Sequence, residues 1–203
     1  MRPAKKKPKA KRNLLALNSG PTQVILGITG GIAAYKIPEL IRSCRNQGIE
    51  VNPIMTTSAL EFVTATTIAT VAESAPLIKN GYEEGIAHLA NLKNASCFVI
   101  APATANTIAK CAHGIADNSL TAAFLAYQGP KLIVPAMHTE MWENPITQAN
   151  VATLKSYGVE FLGPVSGPLA CGDVGAGRMI DTALILAKIQ LMQLTQLDLS
   201  NKT

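Results

Sequence analysis

Two stretches of the chain combine residue types that suit chemistry on a small anionic molecule. The first is Pro168-Leu-Ala-Cys171-Gly172-Asp-Val-Gly175-Ala-Gly177-Arg178-Met179, with one thiol, one guanidinium and three glycines within six positions. It shows neither helical nor strand periodicity, and glycines at that density let the backbone take positive φ and move. A mobile loop presenting Cys171 and Arg178 is what a lid over a small anionic substrate needs. The same residues also describe a surface glycine loop with an incidental cysteine. The rest of the chain decides between the two, by supplying or lacking a cradle for the lid to close on.

The second stretch is that cradle. Residues 24–29 (Val-Ile-Leu-Gly-Ile-Thr) read as a buried strand ending at Gly30-Gly31. A helix is expected over 33–47, with Ile37, Leu40, Ile41 and Cys44 on one face and Gly48 just past its end. Pro38 then sits in the first turn or marks a kink. A second strand follows at 50–55. Small residues at such a strand-to-helix turn let a phosphate approach backbone N–H groups and the positive end of the helix dipole. The turn is not the dinucleotide fingerprint: Thr29-Gly30-Gly31-Ile32-Ala33 lacks G-x-G-x-x-G, and no acid ends the second strand to hold a ribose diol. Met55-Thr56-Thr57-Ser58 stands there instead, three hydroxyls suited to phosphate or ribityl contacts. A mononucleotide is favoured over a dinucleotide.

These residues need elements to position them. A helix is expected at 58–72 with Phe62 and Val63 facing inward, and a strand at 97–101. Thr104 and Asn106 follow that strand, where open α/β sheets bind ligands; capping of the next helix is an equally natural role. Asp117-Asn118-Ser119 caps a helix running to about 127. A strand at 131–135 leads into Ala136-Met137-His138 and the single tryptophan, Trp142. A helix at 145–157, a short strand at 159–161, the glycine-rich lid at about 163–180 and a helix at 182–197 complete the chain. His88 lies between apolar neighbours, where a histidine is more often a satisfied core residue than a catalyst. Strands alternating with helices predict an α/β fold, a three-layer, doubly wound, mostly parallel sheet of the flavodoxin/Rossmann type, as one domain over 21–200. The distinctive polar residues all follow strand ends, on one rim.

Composition narrows the function. The net charge of +5 is carried by residues 1–12, which hold seven of the 18 Lys/Arg and no acid; the remaining chain has about −2. A solvated, disordered basic arm over 1–20 is expected, and no nucleic-acid partner for the folded part. No apolar run reaches the ~18 residues of a membrane span, and Leu14-Leu-Ala-Leu17 is too short for a signal peptide, so a cytoplasmic protein is expected. Cys44, Cys97, Cys111 and Cys171 have no C-x-x-C spacing, and no metal is expected. Only Cys171 lies in a polar loop.

Five separated segments, in order, resemble the homo-oligomeric flavin-containing cysteine decarboxylase family. They are Gly30-Gly31-Ile32-Ala33-Ala34-Tyr35-Lys36, Ala101-Pro-Ala103-Thr104-Ala105-Asn106-Thr107, Ala116-Asp117-Asn118, Pro135-Ala136-Met137-His138-Thr-Glu-Met141-Trp142, and Ala170-Cys171-Gly172-Asp173 through Gly177-Arg178-Met179. The resemblance implies FMN as cofactor and a trimer, or a multiple of one, with the site between protomers. It implies decarboxylation of a small-molecule substrate, 4′-phospho-N-pantothenoylcysteine, through a thioaldehyde and an enethiol, as a step of coenzyme A biosynthesis. Carried over position by position, His88 is the catalytic histidine and Cys171 the lid cysteine that donates a proton in the reductive half. Met137, His138, Ala170 and Arg178 fall on substrate-binding segments. Gly30, Gly31, Ile32, Thr56, Ser58, Phe62, Ala103, Thr104, Ala105, Asn106 and Ala136 fall on FMN-contacting ones.

The chain departs from the family at two positions. His138 stands where many members have an Asn that binds the substrate carboxylate; imidazole also donates a hydrogen bond, with added charge when protonated. Gly31 replaces a serine, losing a hydroxyl and keeping the backbone N–H. Bacterial members often carry a second, ligase domain, for which no residues remain here, so ligation is expected elsewhere. The rival readings are a decarboxylase of peptides ending in cysteine, a flavin prenyltransferase, which would not need the Cys171 lid, and a non-catalytic FMN-binding regulator.

Overall fold

The computed structural model describes residues 22–78, 92, 94–169 and 172–200, with side chains to residue 195. Five parallel strands form one sheet in the order β2-β1-β3-β4-β5: β1 (Thr22–Ile28), β2 (Ile49–Met55), β3 (Ala95–Ala103), β4 (Lys131–Pro135) and β5 (Glu160–Phe161). Parallel pairing demands crossovers, and the intervening helices cover both faces. Strands covered on both faces read as unbroken apolar runs, and all nine residues of β3 are buried.

The pleat of β1 divides the core. Val24, Leu26 and Ile28 point to one face, against helix α1 (Ile37–Asn46), helix α2 (Ala65–Ala72) and the C-terminal helix, numbered α7 below. Ile25 points to the other, with Phe98 and Ile100 of β3, against α3 (Ala105–Ala112), α4 (Ser119–Ala126) and α6 (Pro145–Ser156). Phe98 meets Phe124 edge-on, with centroids 5.6 Å apart, and the buried Tyr127 hydroxyl donates to the Ala95 carbonyl at 2.9 Å. The doubly wound three-layer architecture is thus the one expected.

Local chemistry altered three expected elements. The stretch 33–47 is two helices: a 3-10 turn at Ile32–Lys36, then α1 with Pro38 in its first turn, where its missing N–H costs no hydrogen bond. The stretch 58–72 is also interrupted. A 3-10 turn covers Thr57–Glu61; Thr64 then becomes extended and its hydroxyl accepts the Thr67 N–H at 3.1 Å, starting α2 afresh. The break leaves Val63 buried but turns Phe62 outward, 41% exposed, against the inward orientation expected. The glycine-rich stretch is not an irregular loop: β6 (Val165–Pro168) and β7 (Val174–Arg178) pair as an antiparallel hairpin. Its strand character was masked because glycine has low strand propensity. A short helix not expected, α5 (Thr139–Glu143), follows β4, and α7 (Thr182–Ser200) closes the chain. No described helix is long and apolar enough to cross a membrane.

Candidate active site

The strand order places β2 on one side of β1 and β3 on the other. The chain therefore leaves the C-terminal ends of β1 and β3 in opposite directions, opening a crevice between them. Thr29, 1% exposed, spans its floor: its hydroxyl donates to the Pro102 carbonyl at 2.7 Å and accepts the Thr104 N–H at 3.1 Å. Thr104 in turn caps α3, its hydroxyl accepting the Thr107 N–H at 3.3 Å. Thr104 both caps a helix and lines the crevice.

Gly30 and Gly31 form one wall and differ in their surroundings. A Cβ on Gly30 would lie 2.6 Å from the Ser58 Cβ and Oγ and 2.8 Å from its carbonyl oxygen, so this turn closes only with glycine. A Cβ on Gly31 would meet nothing nearer than the Thr104 methyl at 4.0 Å, leaving room for a larger residue. Ser58, braced by Gly30, shares a 3.0 Å hydrogen bond with the Thr56 hydroxyl.

The opposite wall is Ala136, Met137 and His138 after β4, backed by the hairpin. The Met137 N–H donates to the Gly177 carbonyl at 3.0 Å, and a Cβ on Gly177 would collide with the Met137 carbonyl. Gly175 lies equally close to Thr139, whose buried hydroxyl has no hydrogen-bond partner among the described residues. The two glycines thus let β7 lie flush on the segment carrying His138, and Arg178 follows directly. At the hairpin's far end the Leu169 N–H donates to the Asp173 carbonyl at 2.8 Å and Gly172 takes φ +97°, a left-handed conformation suited to glycine.

Together these walls enclose a cavity of about 900 Å³. Nine of the expected site residues line it: Gly30, Gly31, Ile32, Thr104, Ala105, Ala136, Met137, His138 and Arg178. Thr56, Ser58, Phe62, Ala103 and Asn106 do not. Ser58 and Thr56 act from behind Gly30, Ala103 is buried in β3, and Asn106 is exposed on α3. His88, Ala170 and Cys171 lie outside the described residues. The fold adds Tyr35, Lys36 and Met141 to the lining; all three lie in the recognised segments, but their exposure to one cavity is a tertiary fact. Lys36 and Arg178 carry the charge of the lining, which includes no Asp or Glu, and neither forms an ion pair among the described residues. Two cations and no carboxylate on the lining give the cavity a charge balance suited to an anionic ligand.

The remaining described cysteines are unsuited to chemistry. Burial pushes the Cys44 thiol up to about 11 and the Cys97 thiol up to about 12, and Cys111 likewise to about 12. All three are held as thiols at neutral pH, and Cys44 and Cys97 are core residues as expected.

The flavoprotein family matches residues 14–193, and the chain belongs to that family. A probable phosphopantothenoylcysteine decarboxylase of Streptococcus mutans is 42% identical over 174 residues, which cover 83% of this chain and 97% of that protein. The coenzyme A biosynthesis bifunctional protein CoaBC of Escherichia coli is 39% identical over 81% of this chain, which spans only 41% of that protein. Among solved structures, a cysteine-to-serine mutant of PPC decarboxylase complexed with pantothenoylaminoethenethiol superposes with TM-score 0.74 at 30% identity, covering 85% of this chain and 98% of that one. The FMN-dependent cysteine decarboxylase SpaF gives 0.71 at 31% identity, over 84% and 97%.

Proposed function

We propose that this protein is an FMN-dependent decarboxylase that converts 4′-phospho-N-pantothenoylcysteine to 4′-phosphopantetheine in coenzyme A biosynthesis, acting in the cytoplasm. The observation that carries this reading is the cation-lined cavity at the β1/β3 crevice, in a chain that aligns with nearly the whole length of the Streptococcus mutans protein. The likeness to CoaBC covers about two-fifths of that protein, and no ligase activity is proposed for these residues.

The residues present fit FMN. Gly30, packed on Ser58 without space for a Cβ, brings backbone N–H groups to the crevice, with the Thr56 and Ser58 hydroxyls behind them. Thr104 and Ala105 line the opposite edge. FMN held beside Gly30, Gly31, Thr104 and Ala105 would supply the redox chemistry, as an acceptor and later a donor of hydride. The chain's own residues orient and protonate. His138 and Arg178 hold the substrate carboxylate by charge-assisted hydrogen bonds. His88 acts at the thiol before CO₂ departs, and Cys171 delivers a proton once the enethiol has formed. The hairpin, seated on Met137, carries Arg178 at the cavity wall.

A homotrimer, or a multiple of one, accompanies this reading. Ile32 and Tyr35, 57% and 61% exposed, stand on the first 3-10 turn at the cavity, and Phe62, 41% exposed, directly follows the second, giving exposed apolar surface suited to a second protomer.

The decisive experiment offers the purified, FMN-loaded protein two substrates, 4′-phospho-N-pantothenoylcysteine and a peptide ending in cysteine. CO₂ release and 4′-phosphopantetheine from the first alone is the expected result. Turnover of the peptide alone would move the assignment to the peptide-cysteine branch; turnover of neither would leave a flavin-binding regulator.

A further inference from the structure

Helix α7 is apolar on two faces. Ile185, Ile189 and Met192 are buried against the sheet. At 3.6 residues per turn, Leu184, Ala187, Leu191 and Leu194 form a second stripe within about 80° of arc, turned away from the first. Along it Leu184, Leu191 and Leu194 are 53%, 55% and 54% exposed. Their 3-4-3 spacing is that of a helix seam meeting another apolar segment. Leucines so aligned differ from the scattered apolar residues of an ordinary surface.

What covers the stripe follows from where the chain enters the sheet. The Gln193 side-chain amide donates to the Ser96 hydroxyl at 3.2 Å, and that hydroxyl donates to the Gln23 carbonyl at 2.8 Å. The end of the stripe therefore lies two hydrogen bonds from the start of β1. Leu14-Leu15-Ala16-Leu17 precedes β1, separated from it by Asn18-Ser19-Gly20-Pro21, a turn-forming stretch. From Thr22 to Leu17 the chain reaches up to about 17 Å, against roughly 5 Å for the helical turn between Leu194 and Leu191. The family match begins at Leu14, so this apolar run belongs to the matched region and the basic residues before it do not.

We propose that Leu14–Leu17 packs on the Leu184–Leu191–Leu194 stripe of the same chain. Tethering holds the run at a high effective concentration beside the stripe, an advantage no separate partner shares.

The test is a short bismaleimide applied to a Leu17→Cys/Leu194→Cys variant carrying Cys111→Ala and Cys171→Ser. A cross-link between residues 17 and 194 at single-chain mass is expected. A cross-linked dimer would overturn the proposal by showing that a second copy covers the stripe; two singly modified thiols would overturn it by showing no contact. Independently, Leu14→Ser/Leu15→Ser/Leu17→Ser and Leu191→Ser/Leu194→Ser should lower the urea midpoint by similar amounts, and their combination should lower it no further. Additive shifts would overturn the contact, because residues that do not touch contribute separately.

Discussion

Thr29 and Thr104 face each other across the crevice between β1 and β3, joined by a 3.1 Å hydrogen bond from the Thr104 N–H to the Thr29 hydroxyl. The same hydroxyl holds the Pro102 carbonyl. One buried side chain thereby fixes the spacing of the two strand ends between which the cavity opens. Replacement by valine preserves shape but strands a buried donor and a buried acceptor, at a cost of about 1–3 kcal/mol. Thr29→Val is expected to lower urea stability by that amount and to weaken FMN binding in a fluorescence titration, while Thr29→Ser retains both. Equal behaviour of the two variants would show the clamp to be unimportant.

The two cradle glycines are expected to respond oppositely. Gly30→Ala drives a methyl into the Ser58 backbone carbonyl, which cannot swing away, so the purified variant should lose its flavin absorption. Gly31→Ser has open space and should keep it. The ratio of flavin to protein absorbance reads both. Retention of flavin by Gly30→Ala at the parent ratio contradicts the cradle.

His138 lines the cavity beside Met137. If a hydrogen bond to the substrate carboxylate is its role, His138→Asn should keep kcat/KM within about tenfold. His138→Ala, which leaves a carboxylate without its donor, should lose about ten- to a hundredfold, at roughly 1.5–3 kcal/mol for a hydrogen bond to a charged group. Identical losses in both variants would remove the assigned role.

Cys171 and His88 are expected to separate the half-reactions. A serine hydroxyl is far less acidic than a thiol of pKa about 8.5. Cys171→Ser should therefore release CO₂ and accumulate the enethiol, two hydrogens short of 4′-phosphopantetheine. His88→Asn should block CO₂ release itself. Mass spectrometry of single-turnover products distinguishes them, and a fully reduced product from Cys171→Ser at the parent rate reduces the hairpin to a cover.

The ion pair of Lys110 with Asp117 ties the end of α3 to the cap of α4. The hydrogen bond from Lys110 holds the Asp117 carboxyl below the usual carboxylate range. Its contribution is accordingly full above the ordinary aspartate value of about 3.9 and fades as pH falls through the lower, folded-state value. Asp117→Asn should lower the thermal midpoint slightly at pH 6, with the gap to the parent closing below about pH 4. A gap that persists undiminished at pH 2 would place the effect elsewhere than in the carboxylate.

Much of this protein was legible in one dimension, because the information is local. Alternating apolar runs and helical stripes specify strands and helices whatever lies around them, and their βαβ order leaves few topologies besides the doubly wound sheet. Gly30, Thr104 and His138 could be named because each follows a strand end, where that topology builds its rim. Other features depend on approach between distant segments. That Gly30 lacks room for a Cβ is set by Ser58, 28 positions away, and Gly31 beside it has the space. The glycine-rich stretch became a hairpin because Gly175 and Gly177 lie flush on Thr139 and Met137, a contact that a strand-propensity reading of four glycines between 167 and 177 cannot supply. Phe62 turned outward because Thr64 captured the Thr67 N–H and restarted a helix whose periodicity had looked continuous. Periodicity reports which face an isolated element would bury; only the folded chain decides where the element breaks and which surfaces come close enough to exclude a methyl group.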